Sequence, residues 1–453
     1  MALSPRVAVR DFGPFKHVEV ELKPLTVIIG RNSVGKSMLS YLIWSLAATI
    51  PDLNVFTEVL GKPEVAELVE RVAEDVRTGV NPESKVKELV KLCIEHLPGA
   101  IASGLAEVLR RTFMTELGEL VREGAREAVI RAEGPHATIE FTLTHEGIEV
   151  THSKPFLEFI NELEVKDTFP GILRIGYGGK EIVSERVAGV SDVVDAMFNV
   201  LPYYVSTAFK TFFTSEYITA LLVDSRAGIS RTLLKPYLTP SLTKGIPYPD
   251  EYFIKLYYGL AEKLYKGGVK LELVNPLLEE LGCGIEAVFE SGVYTIYARM
   301  WSGRRLHLSK APSGIRESLT LSLALASVSD PFIVIIEEPE AHLHPRAQRI
   351  LVRLVARAVN ELGKTVVLTT HSDYIVYSIS NLVSLSSSPG RAKGLGYSEG
   401  EVLKPSDVAA YLIEAEEGGA ALKKLEVGEE GIPDEEFSRI ANELAEERAR
   451  ILA

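Results

Sequence analysis

Short, almost wholly apolar runs are set among amphipathic stretches along this chain. Leu25–Ile29 (LTVII), Phe332–Ile336 (FIVII) and Thr365–Leu368 (TVVL) are rich in β-branched residues and do not alternate with polar ones. That pattern predicts strands buried on both faces of a parallel sheet. Residues 6–11 and 17–23 alternate instead (VAVRDF, HVEVELK) and predict two edge strands around a Gly13-Pro14 turn. Ser37–Thr49 (SMLSYLIWSLAAT) predicts a helix packed on the sheet. From Pro51 to about Gly134 the spacing is helical, and Pro63, Pro82 and Pro98 predict breaks into short helices. Residues 136–150 predict a hairpin turning at Glu146-Gly147. A mixed stretch follows, with helical pieces at 190–222 and 251–266, and 285–308 predicts further hairpins. Helices at 314–328 and 346–362 flank the run Phe332–Ile336, and Asp434–Leu452 predicts a charged amphipathic helix. No heptad seam supports a coiled-coil arm.

Composition narrows the classes. The 453 residues are 46% hydrophobic and 25% charged, as in a globular protein with a large core. A formal net charge of -13 argues against a global basic footprint for nucleic acid, while leaving room for a local patch. Cys93 and Cys283 lack metal-ligand spacing and read as buried thiols of a reducing cytosol. The opening MALSPRVAVRDF has no apolar signal core. No uninterrupted apolar run reaches about 18 residues, so no membrane span is expected.

The chemistry is concentrated at the ends of the apolar runs. Gly30-Arg31-Asn32-Ser33-Val34-Gly35-Lys36-Ser37 reads G-x-x-x-x-G-K-S between a strand and a helix. In such a loop the glycines let backbone N–H groups wrap a phosphate chain. The lysine reaches the β/γ-phosphates, and the serine hydroxyl meets Mg2+. Phe332–Ile336 ends in Glu337-Glu338-Pro339-Glu340. There the first acid suits Mg2+ and the second suits the attacking water. Thr365–Leu368 runs into Thr369-Thr370-His371-Ser372, where an imidazole at a strand end can sense a γ-phosphate. Ser313-Gly314 opens the helix before the acidic strand. Alone, it reads either as an anion site or as an ordinary helix start.

This order resembles the ATP-binding-cassette ATPases, in the branch of RecF, SMC-type repair ATPases and the ATPase domain of OLD nucleases. The order is phosphate loop, long insertion, Ser-Gly helix start, EEPE strand and TTHS strand. Glu337–Pro345 (EEPEAHLHP) is similar to that branch's Walker B and D-loop, and Val9–Val20 to its first β-hairpin. The resemblance covers about residues 1–50 and 285–385. It implies an α/β fold: a P-loop NTPase head of ABC type with a mixed sheet, plus helical and mixed α+β insertions. The head would comprise 1–50 and 285–400, with a helical insertion at 51–135. A mixed insertion, partly head, would span 136–284, and a C-terminal helical extension 401–453.

The resemblance also implies roles. Gly30, Arg31, Asn32, Ser33, Gly35, Lys36 and Ser37 would bind ATP. Ser37 and Glu337 would hold Mg2+, with Glu337 in place of the usual Asp. Glu338 would orient water, His371 would be the switch, and His344 sits where cassette transporters carry the D-loop Asp. Ser313 and Gly314 would close on the γ-phosphate held by a second copy, making an ATP-dependent homodimer. The family's pattern is broken in two places. The signature reads Ala-Pro-Ser-Gly-Ile instead of Leu-Ser-Gly-Gly-Gln. The single glutamine, Gln348, follows the acidic strand, so a Q-loop glutamine is missing. No D-x-D pair follows His371 where OLD nucleases carry a Toprim domain. Leu221–Ile229 (LLVDSRAGI) is similar to a strand and turn of related ATPases, and Arg226 reads first as a turn salt bridge.

The expectation is a cytoplasmic ATPase in genome maintenance or defence. It would act on a separate effector such as a nuclease or toxin, with nucleic acid a possible partner and no membrane. A nucleotide-gated scaffold is the alternative, followed by a transporter's ATP-binding subunit.

Overall fold

The computed structural model describes residues 4–166, 170–214, 218–232, 246–433 and 435–452. The chain divides into two compact units, Met1–Glu19 with Ser45–Glu216, and Val20–Trp44 with Tyr217–Ala453.

In the second unit the apolar runs lie side by side. Thr219–Leu222, Ile333–Glu337, Thr365–Thr370, Leu25–Gly30 and Val408–Glu416 follow one another in the sheet, every neighbouring pair parallel. Gly419–Leu425 then pairs antiparallel with Val408–Glu416. Leu25–Gly30 and Ile333–Glu337 are buried along their whole length and Thr365–Thr370 beyond its first residue, which explains why they carry no alternation. In register, Glu337 lies opposite Thr369 and Thr370 opposite Ile29. The phosphate loop, the acidic turn and His371 therefore follow the carboxyl ends of three neighbouring interior strands, where ligands bind in open parallel sheets. Helix Lys36–Ala48 follows the loop, and its Trp44, fully buried, packs on Tyr248 and Tyr252 at ring-centroid distances of 5.4 and 5.1 Å. The helices Ser313–Ala326 and Pro345–Leu362 precede and follow the acidic strand. A separate antiparallel sheet, Cys283–Glu290, Val293–Met300 and Arg305–His307, confirms the expected hairpins.

The first unit holds an antiparallel sheet in the order Phe15–Glu21, Arg6–Phe12, Ala128–Glu133, Thr138–Leu143, Ile148–Lys154. Gly147 takes φ +157 in the expected hairpin turn. Leu163–Val165, Ile172–Tyr177 and Lys180–Arg186 form a second small sheet. Helices Leu53–Leu60, Pro63–Thr78, Glu83–Phe113 and Val190–Phe209 complete the unit. Val65, Val69, Val72 and Val76 form the buried stripe of Pro63–Thr78 at helical spacing.

Several boundaries differ from the expected ones. Pro98 does not break its helix but lies inside Glu83–Phe113. The neighbouring Leu97, Ala100 and Ile101 are buried, and that burial outweighs the lost hydrogen bond. The stretch 51–135 ends in a strand, Ala128–Glu133, paired with Arg6–Phe12. Within 136–284, Thr219–Leu222 joins the sheet of the second unit. Residues 401–453 are only partly helical, because Val408–Glu416 and Gly419–Leu425 extend that sheet. The helix expected over Asp434–Leu452 is observed from Glu435, Asp434 lying outside the described residues. Two stretches, Lys36–Leu60 and Glu83–Phe113, are long and apolar enough to cross a membrane by length and composition. Their apolar windows are 61% and 44% buried within the protein, which accounts for much of that character without a bilayer.

Lys364 ties the starts of two parallel strands. Its ammonium, 1% exposed, donates to the Pro331 carbonyl at 2.6 Å and the Ser329 carbonyl at 3.3 Å. Burial, seconded by the charge of Lys263, pushes its pKa down to about 8. The folded state thus disfavours the charged form, and that penalty is lifted as pH rises from about 8 through the lysine's ordinary value of about 10.4. Stability should gain up to about 3 kcal/mol across this window from Lys364 alone. Urea midpoints at pH 8 and pH 10 should show the gain in wild type and its loss in Lys364→Met. An equal change in both proteins would remove Lys364 as the cause.

Candidate functional site

The phosphate loop is built to face an anion. Ser33 takes φ +66 and Gly35 φ +99, conformations that turn successive N–H groups to one side of the chain. A Cβ at Gly30 would come within 2.8 Å of the Ile413 carbonyl oxygen and 3.0 Å of Val34 Cγ2, so only glycine fits there. Arg31, Asn32, Ser33 and Ser37 are exposed around the loop. Lys36 is only 5% exposed and donates to the carbonyls of Gly30 at 3.0 Å and Arg31 at 2.8 Å. Those two oxygens occupy its ammonium in the place phosphate oxygens would take. Burial lowers its pKa, and the carboxylates of Glu338, Glu340 and Glu337 pull it back up.

The acidic strand end completes the cluster. Glu337 is 1% exposed, and burial raises its pKa, partly offset by the hydroxyls of Ser37 and Tyr41. Its Oε1 accepts from Ser40 Oγ at 3.2 Å. Its Oε2 is buried and has no hydrogen-bond partner among the described residues. A buried carboxylate oxygen without a donor, beside the Ser37 hydroxyl, fits a divalent cation. No group of three or more His, Cys, Asp or Glu side chains suits a metal among the described residues. A cation here would rest on Ser37, Glu337 and ligand oxygens, as Mg2+ commonly does.

Glu338 turns out of the strand with φ +43, a left-handed conformation rare for a side chain of this size. Its amide donates to the Thr369 carbonyl at 3.0 Å. His371 Nδ1 lies 3.4 Å from Glu338 Oε1 and 3.5 Å from Glu340 Oε1. Glu340 Oε1 also accepts from Thr370 Oγ1 at 2.7 Å and from the His371 amide at 2.9 Å. Glu340 thus fixes the turn that presents His371 beside Glu338. Lys36, Ser37, Glu337, Glu338 and His371 are therefore gathered in one cluster.

Ser313 and Gly314 lie elsewhere. They open helix Ser313–Ala326, where a Cβ on Gly314 would meet the His342 carbonyl oxygen at 3.0 Å. His344 caps helix Pro345–Leu362, its Nδ1 accepting from the Arg346 amide at 3.3 Å, as an aspartate would. Gln348 is no Q-loop residue. Its amide donates to the Leu343 carbonyl at 3.0 Å and accepts from Ser372 Oγ at 2.7 Å, joining that helix to the residue after His371.

Sequence reading gave no role to Glu340, Ser40 or Tyr41. The spacing Ser37–Ser40–Tyr41 on one helical face was the available signal for the last two. Arg226 was read as a turn salt bridge. It is a fully buried hub that reaches the acidic turn itself.

Residues 252–376 match the family described as AAA ATPase domain. The Nod factor export ATP-binding protein I of Bradyrhizobium diazoefficiens is 36% identical over 87 residues, 19% of this chain and 27% of that protein. That of Sinorhizobium fredii is 35% identical over 75 residues, 17% of this chain and 21% of that protein. The chain thus spans about a quarter of the length of the curated relatives it matches. Among solved structures, the SMC head domain from Thermotoga maritima is 10% identical, covering 94% of this chain and 100% of that one, with a TM-score of 0.39. An Smc head domain with an extended coiled coil, bound to the C-terminal domain of ScpA derived from Pyrococcus furiosus, is 11% identical. It covers 97% of this chain and 100% of that one, with a TM-score of 0.41. Residues 252–376 are thus similar to the AAA ATPase domain family, and the G-x-x-x-x-G-K-S loop lies on the strand and helix that precede them in the chain.

Proposed function

We propose that this chain hydrolyses ATP with Mg2+, and that two copies close head to tail over the nucleotide. The observation that carries the reading is the single cluster of Lys36, Ser37, Glu337, Glu338 and His371 at the carboxyl ends of the parallel strands. Lys36 exchanges its two loop carbonyls for the β- and γ-phosphate oxygens. Ser37 and the Oε2 of Glu337, which has no hydrogen-bond partner among the described residues, would hold Mg2+, which would supply charge neutralisation at the phosphates. Glu338 accepts a hydrogen bond from the attacking water and orients it toward the γ-phosphorus. The bond from that phosphorus to the bridging oxygen breaks, and ADP leaves with phosphate. His371, supported by Glu340, contacts the γ-phosphate and reports its presence. Preorganised charge does most of this work, with little covalent chemistry from the protein.

The dimer is supported by the seat of Ser313-Gly314 against the His342 carbonyl, outside the Lys36–Glu338 cluster. A signature placed there serves the nucleotide of another copy. Closure would pass a conformational change to a separate effector, a nuclease or toxin of genome maintenance or defence, in the cytoplasm. The ABC-branch motifs support this output. Similarity to proteins named for Nod factor export covers at most 87 residues in the two relatives above, so an exporter role is not carried over.

Lys36→Ala should lose ATP affinity, because the variant lacks the buried ammonium proposed to meet the β/γ-phosphates. Glu338→Gln should bind ATP normally yet turn over on the order of 10²-fold more slowly, the share of a general base. Phosphate release and equilibrium binding measure the two effects. Equal turnover in wild type and Glu338→Gln would take Glu338 out of the mechanism.

Light scattering of Glu338→Gln at micromolar protein should show a dimer, or assemblies of dimers, with ATP and not with ADP. A monomer at saturating ATP would sink the head-to-tail arrangement. His371→Ala should lower turnover while ADP affinity stays near wild type, since ADP lacks the γ-phosphate. Matching losses for ADP and ATP would make His371 a structural residue.

A further inference from the structure

Arg226 is fully buried at the start of helix Arg226–Thr232, its guanidinium turned onto backbone carbonyls and the Glu317 carboxylate. Its Nη1 donates to the carbonyls of Glu337 at 2.7 Å and Val223 at 2.9 Å. Nη2 donates to the carbonyl of Glu338 at 2.9 Å. Nε meets Glu317 twice, its carbonyl at 3.1 Å and its Oε2 at 2.9 Å. One planar fork therefore grips both carbonyls of the acidic turn and the helix that Ser313-Gly314 opens. Glu317, itself 2% exposed, also lies near the turn beyond Glu338, its Oε1 3.9 Å from His342 Nε2.

Two residues of that turn are strained. Glu338 has φ +43 and His342 φ +57, and neither is glycine. Such conformations persist only where neighbours over-determine them. At Glu338 the visible backbone restraints are the amide bond to Thr369 and two bonds to its carbonyl, one from the Ala341 amide within the turn and one from Arg226, the only one of the three donated by a side chain. Lysine could supply the charge of Arg226 but not a fork with donors in three directions.

Resting on the ATPase reading above, we propose that Arg226 is a positioning residue for hydrolysis. It holds Glu338 in the left-handed turn that aims its carboxylate at the water. Through Glu317 it makes that turn depend on the seat of the Ser313-Gly314 helix. Engagement of that helix by a second copy would thereby be read directly at Glu338.

The test uses Arg226→Lys, which keeps the charge, and Glu317→Gln, which keeps the shape, each made in wild type and in Glu338→Gln. ATP turnover, ATP affinity and amide hydrogen exchange of residues 337–342 are measured. Arg226→Lys should lower kcat on the order of 10²-fold, the scale of a small misplacement of a catalytic group, with ATP affinity unchanged. Glu317→Gln should lower it less. Neither should lower turnover further in Glu338→Gln, because both act through that carboxylate. Exchange at 337–342 should quicken in both variants while residues 365–370 keep their protection. Equal losses in both backgrounds together with weaker ATP binding would show a scaffold only and overturn the proposal. So would unchanged exchange at 337–342. Exchange is read without nucleotide, so a wild type that fails to hydrolyse ATP would refute the ATPase reading and still leave the grip of Arg226 decided.

Discussion

A carboxylate that is 1% exposed cannot sit ionised at a strand end without opposite charge or donors nearby, and Glu337 is in that position. Much of the site is the answer to this constraint. Ser40 supplies one hydrogen bond, Ser37 and Tyr41 bring hydroxyls, and Lys36 brings a buried cation. They do not suffice, since one carboxylate oxygen has no partner and burial still holds the pKa of Glu337 up. A group raised in this way weighs against the folded state as pH climbs through the ordinary carboxylate range. A divalent ion entering with nucleotide would remove that burden and favour the ionised form, so metal binding and proton release are linked.

Lys36 carries the complementary cost. Its ammonium is turned back onto the carbonyls of Gly30 and Arg31, so the loop is already curled before a phosphate arrives. The binding step is then an exchange of one set of oxygens for another, with little ordering of backbone. Gly30 makes that curl possible by lying against the Ile413 carbonyl, on the neighbouring strand Val408–Glu416. A strand far along the chain thus sets the shape of a loop near its beginning.

That long reach explains what could be read from sequence and what could not. Leu25–Gly30, Ile333–Glu337 and Thr365–Thr370 were legible because burial on both faces removes every polar position. The loop and its lysine were legible because phosphate chemistry dictates local spacing. Val408–Glu416 was read as part of a helical extension, for its VAAYLI run is short and alanine-rich and suits a buried helix equally well. Its true state depends on pairing with Leu25–Gly30. Pro98 signalled a break that packing overrides. Arg226 looked like a local turn residue because its partners, Glu317, Glu337 and Glu338, lie 91 to 112 positions away. No periodic pattern encodes contacts at that separation.

The strain at Glu338 belongs with the same logic. A relaxed strand end would continue in the β region and send alternate side chains to opposite faces of the sheet. Glu337 points inward and is buried, so an unstrained Glu338 would point to the opposite face. The left-handed residue breaks that alternation, and the Glu338 carboxylate lies beside His371. Proline at 339 and the Glu338–Ala341 hydrogen bond of 3.0 Å close the turn, and Glu340 returns to hold Thr370 and His371. The order Glu-Glu-Pro-Glu is therefore a geometric statement. Under the proposed reaction it puts one acid where Mg2+ would sit, one where water would be oriented and one behind the histidine, in a backbone conformation whose carbonyls buried Arg226 grips.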